Sequence, residues 1–169
     1  MTFAYRDCAA CDAEVVDAIF RKSFIDTFAH LYRSEDLEAF LAQFTKEAWE
    51  DELNDERYCF QLAECEGKPV GFVKLGPSAL PVTTSGPAIE IRQFYVLHEC
   101  RGSGVAHALM EWALEEARVR GAREIYLTVY TDNRRARRFY ERYGFEEVGE
   151  YTFMVGNQPD EDIIMRRTL

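Results

Sequence analysis

The segment Arg101-Gly102-Ser103-Gly104-Val105-Ala106 places two glycines at the entrance of an apolar-periodic run. Glycine lets the main chain approach a ligand with no side chain in the way. The first turn of a helix leaves amide N–H groups unpaired and carries partial positive charge. Together these make a bend that can receive a phosphate or diphosphate. Taken alone, the segment also fits a plain tight turn. Two nucleotide-binding patterns fail on the residues themselves. A dinucleotide fold needs a third glycine where His107 stands, early in a repeated strand–helix pattern. A P-loop needs Lys and then Ser or Thr after the second glycine, where Val105 and Ala106 stand.

A second segment lies one helix and one strand further on: Asn133-Arg134-Arg135-Ala136-Arg137-Arg138-Phe139-Tyr140-Glu141-Arg142-Tyr143-Gly144-Phe145. The two segments, in this order and at this spacing, resemble the GNAT superfamily of N-acetyltransferases. The family's R/Q-x-x-G-x-G/A motif is matched by Arg101, Gly104 and Ala106. Its N-x-x-A-x-x-F-Y-x-x-x-G-F motif is matched by Asn133, Ala136, Phe139, Tyr140, Gly144 and Phe145. The likeness is good over roughly residues 57 to 155.

The resemblance implies an acetyl-CoA-dependent enzyme that needs no metal. Amides from Arg101 through Gly102, Ser103, Gly104 and Val105 to Ala106 would hold the pyrophosphate of coenzyme A. The strand Phe94-Tyr95-Val96 would splay from its parallel neighbour and pair with the pantetheine arm, and an amide near Val96 would polarise the thioester carbonyl. Asn133 would bond the pantetheine, although it is also a good helix N-cap. Tyr140 would protonate the departing thiolate, a fair task for a phenol with a reference pKa near ~10; the alternative is a buried ring with a satisfied hydroxyl. Of the five arginines from 134 to 142, Arg138 is the one assigned to the 3′-phosphate, against the alternative of a solvated helix face. Phe139 reads as core.

An alkyl amine arrives protonated at neutral pH and must lose a proton before it can attack. Glu90 is the first candidate base, against the alternative of a carboxylate paired with Arg92; His98 and His107 are weaker. Direct attack needs no covalent enzyme intermediate, so none of the cysteines need react.

For the acceptor, Phe24-Ile25-Asp26-Thr27-Phe28, the stretch from Leu31 to Leu37 and the run Ile91 to Leu97 look like the polyamine (spermidine/spermine) branch. Nine acids and one base lie between Glu35 and Glu56, a field that would draw a polycation. The same run also fits a solvated surface. The alternatives are a protein N-terminal amine as acceptor, or a non-catalytic module that binds acetyl-CoA for regulation. By family analogy alone, a homodimer is implied.

The elements that must position these residues follow from periodicity. Phe3 to Cys8 reads as a strand, with an N-cap at Asp12 and a helix to about His30. Ser34 is expected to cap a second helix, and Lys46 to Leu53 forms a third. Tyr58–Glu64 and Val70–Leu75 read as strands about the turn Glu66-Gly67-Lys68. Residues 76 to 88, with three prolines and two glycines, read as a mobile loop or lid. Ile89–Leu97 is a strand, 104 to 120 a strong helix stopped by Gly121, Arg123–Val129 a strand and Asn133–Arg142 a short helix. Phe145–Val155 and Asp162–Arg167 close the chain as strands. A strand–helix–strand unit returns the chain in parallel, whereas the hairpins pair antiparallel. The expected sheet is therefore mixed and covered by helices. The resemblance implies that this is an α/β fold of the GNAT type, one domain over 1–169, its central sheet mostly antiparallel with a splayed parallel strand pair and helices on both faces.

Composition sets the remaining bounds. Hydrophobic residues at 47% and aromatics at 14% can build a core, which excludes a disordered chain. A net charge of -10 argues against nucleic acid as partner. There is no run near the ~20 apolar residues that span a bilayer, so no membrane partner is expected. Met1 to Asp7 does not read as a signal, so the expectation is cytoplasmic. Five cysteines, including the pair Cys8 and Cys11, read as ordinary thiols rather than a disulfide framework or zinc site.

Overall fold

The computed structural model describes residues 1–169. One seven-stranded sheet runs through it in the order β1-β2-β3-β4-β5-β7-β6. In chain order these strands are β1 Phe3–Asp7, β2 Cys59–Cys65, β3 Lys68–Gly76, β4 Ala88–Val96, β5 Glu124–Tyr130, β6 Glu146–Val155 and β7 Gln158–Thr168. The helices are α1 Ala13–Phe28, α2 Ser34–Leu41, α3 Lys46–Leu53, α4 Val105–Val119 and α5 Arg134–Arg142. Every strand pairing is antiparallel except that of β4 with β5. No helix is long and apolar enough to cross a membrane.

Apolar residues at helical spacing decide what each helix covers. On α4, Val105, Leu109, Met110, Ala113, Leu114 and Ala117 are buried against one face of the sheet. On α1, Val16, Ile19, Phe20, Ser23 and Phe24 turn toward the other face, where α2 and α3 complete a second, aromatic-rich core around Trp49, Phe60 and Phe72. Gly121 ends α4 at a φ of +81°, where a residue without Cβ meets no penalty. The α2 cap differs from expectation: Arg33 is the N-cap, Ser34 is already the first helical residue, and no side chain caps the turn.

The parallel pair opens almost at once. Its register covers only Ala88–Glu124, Ile89–Ile125 and Glu90–Tyr126. β4 then runs on to Val96 and β5 to Tyr130 with no bonds between them. A register shift in β3/β4 pairs Lys74 with Gln93 but Leu75 with Ile91, so Arg92 is the extra residue of a bulge. A bulge bends its strand and sharpens its twist, which steers the far half of β4 away from β5.

The loop between β3 and β4 is not a lid. The Arg92 guanidinium donates to the Pro77 carbonyl at 3.0 Å, and the Ser85 amide and hydroxyl donate to Glu124 at 2.6 and 2.8 Å. These contacts pin the loop at the closed end of the strand pair, away from the splay. Cys8 and Cys11 flank the turn between β1 and α1 as free thiols, and burial pushes the Cys8 thiol up to about 12, which keeps it protonated.

Candidate active site

Where β4 and β5 part, a cleft of about 810 Å³ runs through the sheet from the start of α4 to the helices on the opposite face. Its lining includes Arg101, Gly102, Gly104, Ala106, Asn133 and Tyr140 at one end and Phe24, Phe28, Tyr32, Asp160 and Asp162 at the other.

At the first end the chain turns through two left-handed residues, Gly102 at a φ of +78° and Gly104 at +93°, the second serving as the N-cap of α4. A Cβ built at either position would meet nothing within 4 Å, so the bend presents bare backbone to open space. The amides of Arg101 and Ser103 are engaged within the fold, donating to His98 and Cys100 carbonyls at 3.1 and 3.3 Å. Those of Gly102, Gly104, Val105, Ala106 and His107 have no acceptor in the protein. The donor set is thus narrower than the six consecutive amides expected from the sequence, and extends one residue further. Ser103 turns its hydroxyl back to Cys100 O, and the Val105 side chain is core.

The β4 edge continues this line of donors. The Leu97 amide donates to the Val70 carbonyl at 2.8 Å, which fixes the alternation of the strand. Residues 93, 95 and 97 direct their main-chain groups at β3, so Phe94 and Val96 direct theirs into the gap left by β5. Tyr95 therefore offers the cleft no amide. Its ring crosses to the other core, against Phe20 and Phe72 at centroid distances of 5.4 and 5.9 Å. Its hydroxyl pKa is raised, first by burial, then by Tyr140 and the Asp162 charge, so this oxygen lies within electrostatic reach of both.

Tyr140 stands on α5 in a cage of Phe94, Phe139 and Phe145. Burial alone raises its pKa, no hydrogen bond contributes, and the residue lines the cleft. The hydroxyl is thus a protonated donor with no protein partner. Asn133 does cap α5, accepting from the Ala136 amide at 3.3 Å, while still lining the cleft. Arg138 is exposed and lies off the cleft; Arg135 and Arg142 line it instead. Arg135 sits near enough to Arg101 that, after burial, its charge lowers the Arg101 pKa. Two guanidinium groups therefore crowd the bend with no carboxylate bonded to either, since Arg101 spends its one side-chain bond on the Thr27 hydroxyl at 3.2 Å.

Glu90 is not in the cleft. It is buried at the closed end of the strand pair, where it accepts from the Ala79 amide at 3.1 Å and lies 3.7 Å from Arg92. Burial raises its pKa, but it serves to hold the loop after β3. The residue fell on the paired half of β4, and period-2 alternation alone does not tell which half opens. His98 is exposed in the turn after β4, and His107 lines the cleft while bonding the Tyr143 hydroxyl at 2.7 Å. The acidic run from Glu35 to Glu56 does not form a field over the cleft. Asp36 is buried in bonds to the Asn157 amide and Arg33, Asp55 pairs with Arg57, and Glu52, which does line the cleft, pairs with Lys74 at 2.5 Å.

Two acids that the sequence reading passed over do face the cleft: Asp160 and Asp162, on one face of β7. Their signal was present as an i, i+2 pair at the start of a strand-like run. Burial, and then Asp160, push the Asp162 carboxyl up to about 7.

The sequence profile of the acetyltransferase (GNAT) family matches residues 20–145. An uncharacterized N-acetyltransferase of Mycobacterium tuberculosis is 29% identical over 159 residues, 94% of this chain and 98% of its own. Human N-acetyltransferase 8 is 34% identical over 106 residues, 61% of this chain and 45% of its own. Among solved structures, the PaiA N-acetyltransferase of Thermoplasma acidophilum in complex with coenzyme A superposes at a TM-score of 0.82, with 21% identity and full coverage of both chains. Arabidopsis thaliana NAA60 in complex with a bisubstrate analogue does so at 0.75, with 20% identity and 99% coverage of each.

Proposed function

Because this chain belongs to the acetyltransferase (GNAT) family, we propose that it moves an acetyl group from acetyl-CoA to a primary amine by direct attack. One observation carries the assignment of parts: unpaired main-chain donors at Gly102 and from Gly104 to His107 are continued by Phe94 and Val96 on the open edge of β4, in the cleft that also holds the unbonded Tyr140 hydroxyl.

The residues present fit coenzyme A. The bare bend and the helix N-terminus suit a diphosphate, and Arg101, Arg135 and Arg142 supply the positive charge around it. Phe94 and Val96 suit an extended amide-bearing arm that adds itself to an open strand edge. The cosubstrate supplies an activated acyl group as a thioester. The Val96 N–H, preorganised and facing the gap, stabilises negative charge on the acyl oxygen. Tyr140 donates its proton as the sulfur leaves, and its burial keeps that proton in place until charge develops there. The acceptor half holds two acids without cations, which supports an amine that arrives charged.

The test is a thiol-release assay with acetyl-CoA against spermidine, tyramine and a peptide with a free amino terminus. The likeness to the polyamine branch makes spermidine the first arm, while the charge argument for it falls away because Glu52 is the one acid of the Glu35–Glu56 run that lines the cleft, and it is paired with Lys74. Turnover of any one amine supports the reading. Stabilisation by acetyl-CoA without turnover of any would assign a binding module instead.

A further inference from the structure

We propose that Asp162 receives the acceptor's ammonium group and takes its proton, while Asp160, held by Tyr32, fixes the pair in place; this rests on the acetyltransferase reading above. Asp160 and Asp162 are only 7% and 9% exposed, yet neither makes an ion pair within the protein. Buried carboxylates are ordinarily matched by a cation. Asp160 accepts from the Tyr32 hydroxyl. Asp162 keeps only the Thr128 hydroxyl as a favourable neighbour, and faces the cleft.

A second, independent observation lies on α1. Ser23 of α1 is 5% exposed, lines the same cleft, and its Oγ is buried with no partner. An unpartnered hydroxyl and an unpaired carboxylate lining one cleft leave hydrogen-bonding capacity that the chain itself does not fill. Aromatic rings that line the same cleft suit a cation. Phe24 stacks on Tyr32 at 6.1 Å and 6°, and Phe28 meets Tyr130 edge-on at 6.2 Å and 90°.

Groups facing Asp162 come from each neighbouring element: Asp160 on β7, Thr128 and Tyr130 on β5, Tyr151 on β6, Tyr95 on β4, and Tyr32 after α1. No lysine, arginine or histidine acts on it. The Asp162 charge is felt at the hydroxyls of Tyr32, Tyr95 and Tyr130, and Tyr95 in turn feels Tyr140.

The steps balance. A proton passes from R–NH3⁺ to the Asp162 carboxylate. The nitrogen lone pair forms the C–N bond, the C–S bond breaks, and its electron pair leaves on sulfur, which takes the Tyr140 proton. The second nitrogen proton restores Tyr140, and Asp162 returns its proton to water.

Asp162→Asn tests this with the best amine of the panel. The wild-type kcat/KM for that amine should rise with an apparent pKa of about 7 and then level off. In the variant it should fall at least about 100-fold and climb with pH toward the amine's own value near ~10. The acetyl-CoA Kd, measured by calorimetry, should stay within about twofold. A variant that keeps both the rate and the plateau overturns the proposal. Should the variant not fold, the wild-type profile decides: a steady climb to the amine's own pKa refutes Asp162 as base. Absence of turnover by the wild type on every amine is a different result, and counts against the enzyme reading itself.

Discussion

The Tyr32 hydroxyl donates a hydrogen bond to the Asp160 carboxylate and so ties the turn after α1 to the start of β7. Elements at opposite ends of the chain thus close the acceptor half of the cleft. A donor on one aspartate and none but Thr128 on the other makes the two acids unequal, and unequal acids can divide anchoring from proton transfer.

Tyr140→Phe keeps the ring among Phe94, Phe139 and Phe145 and removes one hydroxyl. The expected outcome is a drop in kcat of about 100-fold with acetyl-CoA affinity unchanged, read by steady-state kinetics and calorimetry. An unaltered kcat would exclude the phenol from the step at sulfur.

Gly104→Ala forces a side chain into a left-handed N-cap, φ +93°, although the Cβ itself meets nothing. The strain is roughly 1–2 kcal/mol. We expect a Tm loss of a few degrees and an acetyl-CoA Kd weakened about tenfold, with the amine KM little changed. Equal loss for both substrates would point to general unfolding instead.

Gly156→Ala should be worse for the fold. Its φ is +58°, and a Cβ would lie 2.5 Å from the Asp36 Cα, a backbone atom that cannot move aside. Denaturant titration should show destabilisation on the order of 2–4 kcal/mol, combining backbone strain with overpacking. Stability close to that of the parent would mean that α2 is not seated against the β6–β7 turn.

Glu90→Gln separates the two candidate bases. The carboxylate holds the Ala79 amide outside the cleft, so the variant should retain kcat within about threefold and lose only some stability. A large fall in kcat with a changed pH profile would return the base role to Glu90.

Stability should also report Asp162 directly. Its folded carboxyl titrates at about 7, above the ordinary 3.8, so the folded chain binds this proton more tightly than the unfolded chain. Its contribution to stability is complete below pH ~4 and is lost as pH rises through 7. Asp162→Asn should therefore melt higher than the parent at pH 8 and show no such gain at pH 4. A gain that does not depend on pH would show that the carboxyl is not held protonated by its surroundings.

Sequence alone determined the periodic and the punctuated parts of this protein. The apolar faces of α1 and α4, the stops at Gly121 and Gly144, and the glycine bend before α4 are local consequences of spacing and of which residues tolerate positive φ. The two motifs brought Gly104, Ala106, Asn133 and Tyr140 to one cleft because a single helix and strand separate them. Tertiary structure decided what depends on non-local pairing. Only the three-residue register of β4 with β5 shows that Glu90 is closed off while Val96 is open. Only the folded bend shows that Arg101 and Ser103 amides are taken, and only the turn of α5 puts Arg135 and Arg142, rather than Arg138, on the cleft. Asp160 and Asp162 had an ordinary strand's sequence. They became a buried, unpaired couple because Tyr32 after α1, Tyr130 on β5 and Tyr151 on the hairpin partner β6 line the cleft beside them and bring no cation.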